Sequence, residues 1–249
     1  MNNTKRSKNK RYILYCLIFL LALCVRIIRL IIAPLLSRDA VQYLNQAELW
    51  SQINDYSSFL RLGINPQPPL PIWTIKNMMF LGLGAETSGR ALGIFIGSLI
   101  PVIGFVLAEI ITKNIFVGIV SALILILHPS LIAYSIQPLR ENYYLLFSCL
   151  FLVYLTEAVK RNASTYWLGC GLIMALCFFC RYEAIELAFI TPLLIILLRI
   201  SHRITTKDAL KNELCCIIGI AVATALLLSM VDYDCSFISK TNMYTNTVE

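Results

Sequence analysis

The stretch YILYCLIFLLALCV, residues 12–25, follows five basic side chains and contains no charged residue. The whole chain of 249 residues is 58% hydrophobic and only 14% charged, whereas soluble domains are about 45–50% apolar and about 25% charged. Similar apolar runs recur as far as residue 231, many of them close to the roughly 20 residues that a bilayer-spanning helix needs. The sequence therefore predicts an all-α, polytopic transmembrane helix bundle and excludes an ordinary water-soluble enzyme.

Seven spans are predicted, at residues 12–36, 88–112, 115–134, 142–159, 163–180, 184–200 and 214–231. The first resembles a signal peptide, but no small-residue cleavage site follows it, so it is interpreted as an uncleaved anchor. A shorter apolar patch at 70–83 contains Lys76 and is interpreted as an interfacial or re-entrant helix. The predicted organisation is a basic tail at 1–11, a membrane domain at 12–231 with an outer loop at 37–87, and a polar tail at 232–249.

The distribution of basic residues predicts the orientation. With the N-terminus inside, the inner segments carry twelve basic and four acidic residues, and the outer segments carry seven basic and ten acidic residues. Because Lys and Arg concentrate on the cytoplasmic side of membrane proteins, the N-terminus is predicted to be cytoplasmic. The membrane is expected to be the inner or plasma membrane of a bacterium. Together with Arg26 and Arg29 inside the first span, this distribution accounts for the net charge of +7, so no nucleic-acid partner is expected.

This topology gathers polar side chains at the outer face: Asp39, Arg140, Glu141, Arg181 and Glu183. Ionisable groups at the ends of apolar helices are costly unless they are paired or functional, which makes these residues candidates for a site. Structural interpretations remain open beside the functional ones. Ser37 is a candidate N-cap with Asp39 in the following helix turn, and Arg140 is a candidate interfacial anchor.

Two further pairs lie inside predicted spans. Arg26 and Arg29 are three residues apart and share a helix face. They are predicted to snorkel to the outer interface, and the alternative is contact with an anionic lipid headgroup. Cys177 and Cys180 form a C-x-x-C motif without a second pair or a suitably spaced histidine, so core packing is predicted rather than metal binding.

The order of several motifs along the chain is more specific than any one of them. Tyr43 follows Asp39, and the remaining motifs in chain order are Gln67-Pro68-Pro69-Leu70, Gly89-Arg90, Pro129-Ser130, Arg140-Glu141 and Arg181-Tyr182-Glu183-Ala184. In this order they resemble the N-terminal half of the dolichyl-phosphate-mannose protein mannosyltransferase-like glycosyltransferases, which belong to the GT-C superfamily.

The resemblance implies transfer of a sugar from a polyprenyl-phosphate donor to a glycan, lipid or protein acceptor at the extracytoplasmic face. It assigns Asp39 as the catalytic base or a metal-associated carboxylate, and Glu141 as a second catalytic acid. The substrate-binding residues that it implies are Arg140, Arg181, Glu183, Tyr43 and Gln67, with the arginines holding the donor phosphate. No cofactor follows from the resemblance, and a divalent metal stays open.

The sequence departs from the family pattern at three positions. Ala40 stands where many relatives have a second acid, Gln67 where a histidine often precedes Pro-Pro, and Tyr182 where a proline is common. Family members are also longer, so the chain is expected to correspond to a truncated or split enzyme. A non-catalytic accessory or degenerate relative that binds a lipid phosphate is the alternative. A transporter is less well supported, because the polar residues lie at the outer edge rather than at the midplane.

Overall fold

The computed structural model describes residues 2–32, 34–53 and 67–231, with side chains from residue 11 to residue 229 within those ranges. All regular secondary structure in these residues is helical, as predicted. The helices are α1 (Asn2–Ile32), α2 (Arg38–Ile53), α3 (Pro69–Met79), α4 (Ala85–Thr112), α5 (Ile115–Leu127), α6 (Pro129–Ser135), α7 (Arg140–Arg161), α8 (Ser164–Cys180), α9 (Glu186–Ile200) and α10 (Thr206–Val231), with a 3₁₀ turn at Tyr182–Ile185. The predicted polar tail at 232–249 lies outside the described residues.

The number of membrane spans differs from the prediction. Four described helices, α1 from Arg11 onward, α4, α7 and α10, are long and apolar enough to cross a membrane. The pair α5 and α6 makes a fifth span if its two bent helices are counted together. Helices α8 and α9 have only 17 and 15 residues, fewer than the roughly 20 that a span requires. Seven spans are therefore not confirmed, because an apolar run indicates burial away from water without showing whether lipid or protein surrounds it.

The helix predicted over 115–134 is broken at His128. Helices α5 and α6 meet there at 61°, and His128 has an extended backbone with φ −64° and ψ 118°. Pro129 follows as the first residue of α6. The backbone N–H that proline lacks would have no partner within the helix at this position. The first span also ends earlier than predicted, at Ile32 rather than residue 36.

Helices α2 and α3 form a layer across one end of the bundle, which we call the cap (residues 38–53 and 69–79). The buried side chains of α2 recur every three or four residues, as in an amphipathic helix: Ala40, Tyr43, Leu44, Ala47 and Trp50. They pack against Ile72 and Ile75 of α3 and against Leu139. In its described residues, 37–53 and 67–87, the predicted outer loop thus carries two helices that bury their apolar faces on the bundle.

Helix α8 packs most closely against α10. A Cβ atom added to Gly171 would lie 2.0 Å from the carbonyl oxygen of Cys216, and one added to Gly219 would lie 2.3 Å from that of Leu168. Small residues commonly permit such close approach between membrane helices. Cys177 and Cys180 are both fully buried, in agreement with their predicted packing role.

Three glycines on α4 form a groove for the segment that joins α6 to α7. Gly89, Gly93 and Gly97 lie every fourth residue and therefore on one helix face. A Cβ atom added to Gly93 would lie 2.8 Å from the carbonyl oxygens of both Ser135 and Gln137. The joining segment consequently rests directly on the α4 backbone, and this contact positions the start of α7.

Polar contacts at the end opposite the cap join the remaining helix termini. Arg11 pairs with Glu109 at 3.0 Å, and Asn212 Nδ2 donates to Asn162 Oδ1 at 2.9 Å. The segments predicted to be cytoplasmic therefore share one end of the bundle. The segments predicted to be extracytoplasmic share the end that carries the cap.

Candidate active site

A small cavity of about 130 Å³ lies between the cap and the start of α7. Its described lining residues are Asp39, Tyr43, Gln67, Leu139, Arg140 and Glu141. Five of the seven predicted site residues therefore lie together, although they come from three separate segments of the chain. The other two, Arg181 and Glu183, belong to a neighbouring turn and are not among the described lining residues.

Asp39 lies in the first turn of α2. The Ala40 N–H donates to Ser37 Oγ at 3.2 Å, so Ser37 is the N-cap that the sequence predicted. The Ser37 N–H donates in turn to Gln137 Oε1 at 3.1 Å. This bond ties the beginning of α2 to the segment before α7, and it leaves the exposed Asp39 side chain facing the cavity.

Tyr43 of α2 contacts Gln67, which lies two residues before α3, at the cavity wall. The Tyr43 hydroxyl donates to Gln67 Oε1 at 3.2 Å, and the Gln67 N–H donates to Gln46 Oε1 at 3.1 Å. Burial raises the pKa of Tyr43 above its ordinary value of 10.0, because the interior disfavours the phenolate. Tyr43 is therefore a neutral hydrogen-bond donor at physiological pH.

Arg140 and Glu141 are the first residues of α7. Both side chains are partly exposed, at 27% and 31%, and Arg140 Nε lies 3.6 Å from Glu141 Oε1. At that distance and exposure the pair contributes little free energy. Both groups can therefore reorient toward a ligand in the cavity at small cost.

The turn after α8 brings a second arginine near the cavity. Arg181 Nε lies 3.3 Å from Glu183 Oε2, and its guanidinium lies 5.5 Å from the centre of the Tyr144 ring. The pKa of Glu183 is lowered mainly by a hydrogen bond from its own backbone N–H. Partial burial opposes this effect, and the charges of Arg181 and Arg140 then lower the pKa by smaller amounts. The effect of Arg140 on Glu183 links this turn electrostatically to the cavity.

Arg90 is a functional candidate to which the sequence assigned no role. Its Nη1 donates to the carbonyl of Ile136 at 3.2 Å, its Nη2 donates to the carbonyl of Pro34, and its Nε pairs with Glu86 at 2.8 Å. Pro34 precedes the helix that carries Asp39, and Ile136 precedes the one that carries Arg140. The Gly89-Arg90 motif marked this position in the sequence. The motif alone does not predict that the Arg90 side chain binds the carbonyl groups of two distant segments.

Arg26 does not snorkel as predicted. Its side chain is completely buried against the protein, whereas Arg29 is exposed. The two arginines therefore occupy different environments despite their spacing, since Arg26 faces the groove of α4 rather than lipid. The sequence predicted that Arg26 either snorkels to the interface or contacts a lipid headgroup, and its complete burial contradicts both predictions.

The oxygen ligands available to a divalent cation are few. Asp39 and Glu141 supply carboxylates at the cavity, and carboxylate oxygens are the ligands that hard cations prefer. Across residues 11–32, 34–53 and 67–229, no group of three or more His, Cys, Asp or Glu side chains could hold a metal. A cation bound here would take most of its remaining ligands from water or from a donor phosphate.

A family model described as dolichyl-phosphate-mannose-protein mannosyltransferase matches residues 66–231, more than half of the chain. The chain belongs to this family. Membership makes it a multi-pass membrane glycosyltransferase of the GT-C type. Neither the curated proteins nor the solved structures include a match. The region matched to the mannosyltransferase family contains Gln67, Arg140 and Arg181 but begins after Asp39 and Tyr43.

Proposed function

We propose that this protein transfers a sugar from a polyprenyl-phosphate donor to an acceptor hydroxyl at the extracytoplasmic face. The observation that supports the proposal is the cavity in which Asp39 and Tyr43 of the cap meet Arg140 and Glu141 of α7. A carboxylate beside an arginine suits a reaction that removes a proton from one group while a phosphate departs from another.

In the proposed reaction, the acceptor oxygen forms a bond to the anomeric carbon of the donor sugar while Asp39 takes its proton. The bond between that carbon and the phosphate oxygen breaks, and polyprenyl phosphate leaves with the electron pair. Arg140 and Arg181 stabilise the phosphate, since a guanidinium can give two parallel N–H donors to phosphate oxygens. Glu141 is the second proposed catalytic carboxylate and pairs with Arg140 before the donor binds.

The remaining site residues have proposed binding roles. Tyr43 and Gln67 offer a hydroxyl and an amide to the sugar hydroxyl groups. Glu183 holds Arg181, from which its carboxylate is 3.3 Å away, in the direction of Arg140. These assignments assume that the cap shifts when the donor binds, because the cavity of about 130 Å³ is below the usual ligand-pocket range of about 300–1,000 Å³.

The small cavity also supports a second candidate, a non-catalytic relative that binds only the lipid phosphate. In that case Arg140 and Arg181 would hold the phosphate headgroup, and the sugar would have no site. Both candidates bind the lipid phosphate of the donor, but only the catalytic one transfers the sugar.

The catalytic proposal is tested with membranes that contain the protein and a radiolabelled polyprenyl-phosphate sugar. We expect Asp39→Asn and Asp39→Ala each to reduce transfer by about 100- to 10,000-fold, the usual contribution of a general base. Glu48→Gln is the matched control, because Glu48 is an exposed acid on the same helix and is not a described lining residue. Full activity in both Asp39 variants would show that Asp39 is not the base.

Donor binding separates the two candidates. Arg140→Gln and Arg181→Gln are expected to weaken donor binding, whereas Arg38→Gln, at an exposed arginine beside Asp39, is expected to leave it unchanged. Binding that depends on Arg140 and Arg181 but never leads to transfer, with any acceptor supplied, would establish the non-catalytic candidate. Binding that depends on neither arginine would contradict both candidates.

A further inference from the structure

Arg26 is a buried cation that the proposed reaction does not use. It lies in the membrane-spanning part of α1 with 0% of its surface exposed, and none of the ion pairs among the described residues includes it. An ionisable side chain within a spanning helix is costly to place there unless it is paired or functional. An apolar side chain would fill the same place at lower cost, so stability alone does not explain the arginine.

The hydrogen bonds of Arg26 point to the end of α6. Its Nε donates to Ser135 Oγ at 3.1 Å, and its Nη1 donates to the carbonyl of Ala22 in its own helix at 3.0 Å. Nη2 is buried and has no hydrogen-bond partner among the described residues. The interhelical contact of this guanidinium is therefore with Ser135, the last residue of the short helix after the bend.

Helix α4 leaves room for this contact. A Cβ atom added to Gly97 would lie 2.1 Å from Ser135 Oγ and 3.1 Å from Arg26 Nε. Any side chain at this position would separate the serine from the arginine. The fold therefore brings Arg26 to the end of α6 through a glycine that permits the approach.

Ser135 begins the segment that leads to the cavity, five residues before Arg140. Asn142 Nδ2 donates to the carbonyls of Tyr134 at 2.8 Å and Gln137 at 3.2 Å. Residues 134–140 are thus held by α7 through Asn142, by α4 through Arg90, and by α1 through Arg26. The contact from Arg26 holds the last residue of α6, beside the bond from Asn142 to the Tyr134 carbonyl.

We propose that Arg26 is a positioning residue for the cavity. By holding Ser135, it sets where the chain leaves α6 and hence where α7 presents Arg140 and Glu141. The proposal rests on the proposed function, in which these two residues act on the donor. Arg26 itself touches no substrate and acts through Ser135 and the backbone that follows.

The test compares Arg26→Met, Arg26→Lys and Ser135→Ala with Arg29→Met, which removes an exposed arginine from the same helix. Each full-length variant is measured in nanodiscs for transfer kinetics and for amide hydrogen exchange. Arg26→Met is expected to raise the donor KM and to lower kcat/KM by about ten- to a hundred-fold, as small displacements of binding groups do. Exchange is expected to rise at 132–142 and to stay unchanged at 164–180.

Arg26→Lys is expected to recover part of both effects, because it keeps a cation that can reach Ser135. Arg29→Met is expected to match the wild type. A uniform rise in exchange, or a lower melting temperature with an unchanged donor KM, would show that Arg26 only fills the core and would overturn the proposal.

Two outcomes require further measurements: failure of Arg26→Met to accumulate, and absence of sugar transfer by the wild type. If Arg26→Met does not accumulate, Ser135→Ala removes only the acceptor, and unchanged donor KM and exchange in that variant would overturn the proposal. If the wild type transfers no sugar, the proposed function fails, whereas exchange at 132–142 still decides whether Arg26 controls this segment. A local rise there in Arg26→Lys or Ser135→Ala supports the positioning role independently of activity.

Discussion

Arg90 hydrogen-bonds the carbonyl groups of Pro34 and Ile136, and it also pairs with Glu86 on its own helix. Removal of the guanidinium in Arg90→Met leaves two carbonyls without this donor, so we expect a loss of about 1–3 kcal/mol in unfolding free energy. Glu86 is 58% exposed, and Glu86→Gln is expected to cost no more than about 1 kcal/mol, as exposed ion pairs do.

The measurement is reversible unfolding in detergent of the two variants beside the wild type. Equal losses of unfolding free energy in Arg90→Met and Glu86→Gln would mean that Arg90 stabilises the fold through its ion pair rather than through its bonds to backbone carbonyls. A larger loss in Arg90→Met would support its role in joining the two chain segments that lead to the cavity.

Tyr43 allows a prediction that depends on pH. Tyr43→Phe removes the hydroxyl that donates to Gln67 and is expected to cost about 0.5–1.5 kcal/mol at neutral pH. Because burial raises the pKa of Tyr43 above 10.0, the folded protein keeps a proton that the unfolded chain releases at higher pH. Stability therefore falls as the pH rises past about 10.

The difference in unfolding free energy between wild type and Tyr43→Phe should accordingly be constant from pH 6 to pH 9 and should shrink at more alkaline pH. Chemical unfolding at a series of pH values measures this difference. A difference that already changes between pH 7 and pH 8 would contradict a raised pKa for this phenol.

The groove on α4 gives a prediction at the scale of elements. Gly93→Ala places a Cβ atom 2.8 Å from two backbone carbonyl oxygens, which cannot move away as a flexible side chain could. We expect a destabilisation of about 1–3 kcal/mol, typical of overpacking, together with weaker sugar transfer. Gly84→Ala is the matched control, because Gly84 has no atoms within 4 Å of its added Cβ and has a negative φ of −65°.

Thermal unfolding and transfer assays on both variants test this expectation. Gly84→Ala should cost no more than about 1 kcal/mol, because Gly84 is the N-cap of α4 and alanine caps a helix less well than glycine. If Gly93→Ala behaves like Gly84→Ala, the segment between α6 and α7 does not depend on contact with α4.

The arrangement of the whole molecule predicts which ends of the helices share a side of the membrane. Asn162 lies in an Asn-Ala-Ser acceptor sequence at the end opposite the cap. We expect it to remain unmodified when the protein is inserted into microsomes. An acceptor sequence made by Leu81→Asn with Leu83→Thr, at an exposed turn beside the cap, should be glycosylated.

Glycosylation of the two sites is read from the gel mobility of the protein before and after glycosidase treatment. Modification at Asn162 but not at the turn beside the cap would reverse the proposed orientation. It would also move the proposed reaction to the opposite face of the membrane.

The sequence predicted the helical class and the cap from local patterns. It predicted the grouping of polar residues from the distribution of basic residues, which set the topology. Ser37 before Asp39 is a local N-cap signal, and the order of motifs gave five of the cavity-lining residues. The bend at His128 and the burial of Arg26 were missed because they depend on which helices meet. Gly97 makes room for Arg26, and no periodicity in the sequence relates these two positions.

The burial of Arg26 has a consequence for biogenesis. Helix α1 leaves the ribosome before α6, and the serine that binds Arg26 is synthesised 109 residues after it. During that interval Arg26 lacks this partner, so we expect its side chain to snorkel toward the headgroup region in the nascent helix, whereas it is buried in the folded protein. We expect Arg26→Leu to strengthen membrane insertion of isolated α1, measured by glycosylation of a fused reporter, even though the same change impairs the finished protein. The residue that we propose to position α7 in the folded protein is thus expected to oppose the membrane insertion of its own helix.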